Sequence, residues 1–87
     1  MENYKIIFKR SAEKELASLP KKDCQKIVEK IKKLSRNPLL IETKKLSGSE
    51  NWYRIRQGNY RIMYEIDYHL REIFIFKIGH RREIYRK

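Results

Sequence analysis

Apolar and polar positions change their period along the chain, and the changes divide it into elements. Tyr4-Lys5-Ile6-Ile7-Phe8 is a short, partly β-branched apolar run, which predicts a first strand. Ala12, Leu16 and Leu19 then recur at helical spacing, with Ser11 as the expected N-cap, Glu13 and Glu15 in the first turn and Pro20 as the stop. A clearer helical stripe follows in Cys24, Ile27, Val28, Ile31 and Leu34, started by Asp23 and ended at Asn37-Pro38. Lys22, Lys26, Lys30, Lys32 and Lys33 lie off that stripe, so residues 11–36 read as a helical hairpin with an apolar underside and a lysine-rich outside. Residues 39–51 form a connection in which Leu39, Leu40, Ile41 and Leu46 tuck against the core and Ser47-Gly48-Ser49 turns. After it the period drops to two. Residues 52–57, 60–66 and 71–78 are three alternating runs separated by Gly58-Asn59 and by residues 67–70, a meander of antiparallel strands. The expected fold is α+β: an N-terminal strand, a helical hairpin and a three-stranded meander, in one domain over residues 1–87.

With Gly58-Asn59 as a two-residue turn, Gln57 faces Tyr60, Arg56 faces Arg61, Ile55 faces Ile62, Arg54 faces Met63, Tyr53 faces Tyr64 and Trp52 faces Glu65. Alternation then puts Tyr53, Ile55, Tyr60, Ile62 and Tyr64 on a core face. The other face carries Trp52, Arg54, Arg56, Arg61, Met63 and Glu65. Like charges directly opposite one another destabilise a hairpin by up to about 1 kcal/mol. Folding alone gives little reason to set Arg56 against Arg61. An anion site does, because guanidinium groups hold phosphate bidentately; the plainer reading is a solvated face with its long side chains splayed. The last run, Ile73-Phe74-Ile75-Phe76, is apolar on both faces and should be the central, most buried strand. It leads into Gly79-His80-Arg81-Arg82 and Tyr85, which would deliver cationic and titratable groups to a sheet edge.

Charge strengthens the anion reading. Lys and Arg number 22 against 11 Asp and Glu, a formal charge of +11. Residues 1–50 hold 13 basic and 7 acidic side chains and residues 51–87 hold 9 and 4, so the excess belongs to a folded surface and not to a tail. A membrane surface would attract the same field, so charge alone does not select nucleic acid. Cys24, the only cysteine, rules out an intrachain disulfide and reads as core; a cytoplasmic setting is expected. No apolar run approaches the ~20 residues of a membrane span.

The ordered pieces Lys45-Leu46-Ser47-Gly48, Tyr53-Arg54-Ile55-Arg56, Gly58-Asn59-Tyr60-Arg61-Ile62-Met63-Tyr64 and Ile78-Gly79-His80-Arg81-Arg82-Glu83-Ile84-Tyr85 resemble the RelE branch of the RelE/ParE toxin superfamily. The resemblance covers nearly the whole chain. It implies a toxin of a type II toxin–antitoxin system: a ribosome-dependent mRNA endoribonuclease that needs no metal or cofactor. The ribose 2′-OH attacks the adjacent phosphate and leaves a 2′,3′-cyclic phosphate. It also implies action in the ribosomal A site, a monomeric free toxin and neutralisation by an antitoxin in a hetero-oligomer. Arg61, Arg81 and Tyr85 match the family's catalytic face. Arg54 and Arg56 stand where such toxins often carry lysine, and arginine cannot give up its proton, so Arg56 can stabilise a phosphorane but is a poor base.

His80 is the candidate base, since the charges of Arg81 and Arg82 disfavour imidazolium and leave a ring able to accept the 2′-OH proton; alternatively it only packs or stacks on RNA. The expected catalytic set is Arg56, Arg61, His80, Arg81 and Tyr85, with Arg54, Lys44, Lys45, Arg82 and Trp52 binding RNA. Trp52 could equally cover the core, and His69 should be an exposed turn residue. Two other classes stay open: a ParE-type toxin of the same fold that inhibits DNA gyrase, and a non-catalytic RNA- or ribosome-binding module.

Overall fold

A computed structural model describes residues 3–40, 43–46, 48 and 51–80. Its elements are β1 (Lys5–Phe8), α1 (Arg10–Ala17), α2 (Lys21–Arg36), β2 (Lys44–Lys45), β3 (Trp52–Gln57), β4 (Tyr60–Asp67) and β5 (Glu72–His80). They build an α+β fold around one five-stranded sheet of order β1-β5-β4-β3-β2. β1 runs parallel to β5 and every other pairing is antiparallel. The strand–helix–helix–meander order is as expected, with one addition: the 39–51 connection contains the two-residue edge strand β2. Too short to carry a period, it is held by pairing with β3. Ile41, Ser47 and Ser49 of that connection lie outside the described residues.

Both helix starts differ from expectation. α1 begins after Lys9, one residue before Ser11, and α2 begins after Pro20, whose fixed φ suits a helix entrance; neither has a side-chain cap. Asp23 is used elsewhere, accepting a hydrogen bond from the Tyr60 hydroxyl at 3.0 Å. The apolar stripes do bury as their spacing dictates. Ala12, Ile27, Ile31 and Leu34 meet Ile55, Ile62, Tyr64, Ile66, Ile73, Ile75 and Ile78 of the sheet in one core, while Cys24 is only half-buried. Ser35 ties the end of α2 to the start of β1: its hydroxyl donates to the Tyr4 carbonyl, and the Tyr4 N–H donates to the Ser35 carbonyl, both at 2.8 Å.

β5 is an interior strand, though β4 and not β5 occupies the middle of the sheet. Met63 pairs with Lys77 but Tyr64 with Ile75, so Phe76 is the extra residue of a β-bulge. The bulge explains why the buried isoleucines of β5 are spaced two and then three apart, at 73, 75 and 78. Beyond the end of β1, α1 takes over the flank of β5. The Glu15 carboxylate accepts from the Ile78 N–H at 3.0 Å and from Lys77 Nζ at 2.7 Å, covering an edge that would otherwise be open.

Candidate nucleic-acid interface

The β3–β4 hairpin has the register its sequence demands, from Gln57 opposite Tyr60 to Trp52 opposite Glu65. Gly58 sits at the first central position with φ +61°, as a type II′ turn requires. Period-two alternation therefore stacks Arg54, Arg56 and Arg61 on the face away from the core. Lys44 joins them because β2 sets it opposite Arg54, whereas Lys45 pairs with Tyr53 and falls on the other face. Lys30 of α2 completes the lining of a cavity of about 430 Å³ formed with Lys44, Arg54, Arg56, Gln57, Gly58 and Arg61. Five of its seven described lining residues are cationic and none is acidic.

Arg61 is the unexpected member. It is only 6% exposed, and its Nη1 reaches the Tyr60 carbonyl at 3.4 Å. Its partner across the β4–β5 ladder is Gly79, which offers no side chain on that face and leaves room for the guanidinium. That Arg61–Gly79 pairing was missed from the sequence, although a glycine near the end of a mostly apolar strand was the available signal. Burying a guanidinium costs several kcal/mol unless hydrogen bonds and charges around it compensate.

His80 does not join this group. It pairs with Tyr60, its ring meets the Tyr60 ring edge-on at 5.6 Å, and it lines a second cavity of about 210 Å³ with Asp23, Lys26 and the hairpin turn. The two cavities border the same turn and share Gln57 and Gly58. The grouping of His80 with the arginines is thus corrected by the β4–β5 register, which was not derivable from β5 alone. Trp52 lies on the arginine face, 45% exposed, with its ring 5.0 Å from Phe76. His69 is exposed in the β4–β5 turn, as expected. Arg81, Arg82 and Tyr85 lie outside the described residues.

Residues 6–85 match the family model described as ParE toxin of the type II toxin–antitoxin system parDE. The toxin RelE3 of Methanocaldococcus jannaschii is 36% identical over 86 residues, covering 93% of this chain and 94% of its own length. The toxin RelG of Mycobacterium tuberculosis is 32% identical over 88 residues, covering 97% and 98%. Among solved structures, the archaeal RelE–RelB complex of Pyrococcus horikoshii superposes with a TM-score of 0.81 at 30% identity, covering 91% of this chain and 96% of the other. The toxin–antitoxin complex RelBE2 of Mycobacterium tuberculosis gives 0.79 at 31%, covering 91% and 99%. The isolated Escherichia coli RelE toxin, at 23% identity and a TM-score of 0.80, shares the fold. The chain belongs to the RelE/ParE family of type II toxin–antitoxin toxins, on its RelE side.

Proposed function

We propose that this toxin is a metal-independent endoribonuclease that cuts mRNA on the ribosome. The observation that carries the reading is the cavity of about 430 Å³ into which Lys30, Lys44, Arg54, Arg56 and Arg61 converge, with no carboxylate among its described lining residues. A scissile phosphate bound there is stabilised by preorganised cations around its two non-bridging oxygens. The dianionic phosphorane of the transition state gains more, which is what accelerates a reaction. The ribose 2′-oxygen attacks phosphorus, the bond from phosphorus to the 5′-oxygen breaks, and the products are a 2′,3′-cyclic phosphate and a 5′-hydroxyl. Arg56, Arg61 and Arg81 bind the reacting phosphate, and Lys44, Arg54 and Arg82 hold its neighbours. Trp52 stacks on a flanking base and Tyr85 protonates the leaving oxygen. With His80 turned to the other face, water takes the 2′-OH proton and electrostatics supply most of the acceleration.

Relatives solved with RelB antitoxins support a cognate antitoxin as partner. Against a +11 surface its neutralising segment should be acidic and fold on contact. A second reading, ParE-type inhibition of DNA gyrase, is favoured by the family description that matches. Induction in bacteria followed by mapping of mRNA 5′ ends separates the two. Codon-positioned ends bearing 5′-hydroxyls are expected. Intact mRNA with gyrase-dependent DNA damage would overturn the nuclease reading in favour of the second.

A further inference from the structure

We infer that the Tyr64 hydroxyl is a positioning group for the phosphate cavity: it pins the connection between α2 and β2, and so sets Lys44 opposite Arg54. Tyr64 is fully buried on the core face of β4, on the opposite side of the sheet from the arginines. Its hydroxyl donates to the Pro38 carbonyl at 2.7 Å and lies 3.0 Å from Thr43 Oγ1. One phenol therefore holds both Pro38 and Thr43, and the Thr43 N–H donates to the Leu40 carbonyl at 2.9 Å. The next residue is Lys44. From there only two residue pairs, Lys44 with Arg54 and Lys45 with Tyr53, and one further bond from the Leu46 N–H to the Trp52 carbonyl at 2.8 Å, hold the described part of the segment to the sheet.

A two-residue strand has little register specification of its own, and a slip of one residue turns every side chain to the other face. Such a slip would take Lys44 out of the cavity and bring in a neighbour. The anchor that prevents it is the phenol. Tyr53, the partner of Lys45, reinforces it by stacking its ring on Tyr64 with centroids 6.0 Å apart. Burial favours the protonated phenol and keeps it a donor up to strongly alkaline pH. Tyr64 is not among the residues lining the cavity; it acts through Lys44.

This inference rests on the cavity being a phosphate site, and its test has an arm independent of that reading. Tyr64→Phe keeps the buried ring and removes only the hydroxyl. Binding of a single-stranded RNA oligomer to the full-length protein, measured across salt concentrations, gives a slope of log K against log salt that falls by about 0.7 for each phosphate no longer neutralised. Lys44→Gln should lower the slope by about 0.7. Tyr64→Phe should lower it by a similar amount, and the double variant by no more than either alone. In parallel, hydrogen exchange of the Thr43 and Leu46 amides should quicken by up to about tenfold in Tyr64→Phe, with β4 and β5 amides unchanged. Additive slope losses, or a wild-type slope in Tyr64→Phe with a reduced one in Lys44→Gln, would overturn the inference. So would unchanged exchange at Thr43 and Leu46. If Lys44→Gln and Arg56→Gln both leave the slope at the wild-type value, the phosphate reading fails, and the exchange arm alone still decides whether the phenol holds the turn. Should Tyr64→Phe not fold, Thr43→Val removes one side of the same grip and carries the same expectations.

Discussion

Arg56 and Arg61 face each other across the hairpin yet differ in surroundings, and the difference separates their roles. Arg56 is exposed and Arg61 is 6% exposed. Replacing Arg56 by Gln relieves like-charge repulsion, so chemical denaturation should find the variant as stable as wild type or more stable by up to about 1 kcal/mol. Its RNA-binding salt slope should fall by about 0.7. A loss of ~2 kcal/mol with unchanged RNA affinity would make Arg56 structural. Lysine substitution should distinguish the pair further. A point charge on a flexible stem serves at an exposed phosphate contact but cannot reproduce a buried planar fork. Arg56→Lys should cleave within a few-fold of wild type and Arg61→Lys about 10²-fold more slowly, measured by single-turnover cleavage on programmed ribosomes. The facing of these two arginines was legible from turn length and alternation alone. The burial of Arg61 was not, because it depends on Gly79 in a third strand whose register a bulge resets. The same bulge-dependent register removes His80 from the arginine face, so His80→Ala should cleave with an unaltered pH profile; loss of an inflection in that variant would restore histidine as the base.

Two contacts between elements hold the sheet in the form that the cavity needs. Glu15 of α1 satisfies the Ile78 N–H and pairs with Lys77, so Glu15→Ala leaves a sheet-edge donor without its acceptor. A destabilisation of about 1–3 kcal/mol is expected in urea denaturation; less than ~0.3 kcal/mol would show that water replaces the carboxylate at no cost. Tyr64 provides the second. Burial pushes its phenol up to about 12, from about 10 in an unfolded chain. Stability from this group is therefore complete below pH ~10 and declines as pH rises towards 12, because the unfolded chain ionises first; the total is about 3 kcal/mol. Tyr64→Phe should flatten that alkaline decline. The phenol of Tyr68 is raised as well, by burial and then by its hydrogen bond with Tyr53, but the residue is 48% exposed and solvent screening leaves it a small part of the decline. The helices and the meander strands were readable because six or more residues largely keep one period. β2 and the helix starts were not, since pairing with β3 and the demand of Tyr60 on Asp23 override local preference.

For the whole molecule, a charge of +11 spread over both halves makes a long-range field on which an acidic partner is drawn in. Association with the antitoxin should slow steeply as ionic strength rises while dissociation changes little, a split that stopped-flow and surface-capture kinetics resolve. Equal salt sensitivity of both rates would argue that charge pairs, and not apolar anchors, hold the complex. The α+β class was legible because strand and helix periods segregate along the chain; the closing of the sheet by β1 on β5 was not, since parallel pairing leaves no turn signal between its partners. That parallel pairing also imposes a timetable. β1 is synthesised first and β5 after every other strand, yet β5 lies between β1 and β4. While β5 is still inside the ribosomal tunnel, β1 has no neighbour, Ile73, Ile75 and Ile78 are missing from the core, and Gly79 is not there to admit Arg61. A newborn chain thus lacks the complete sheet that shapes the cation-lined cavity. Arrested chains exposing residues only through Asp67 should be digested by protease, and those exposing His80 should resist, so the cavity exists only once the sheet is complete.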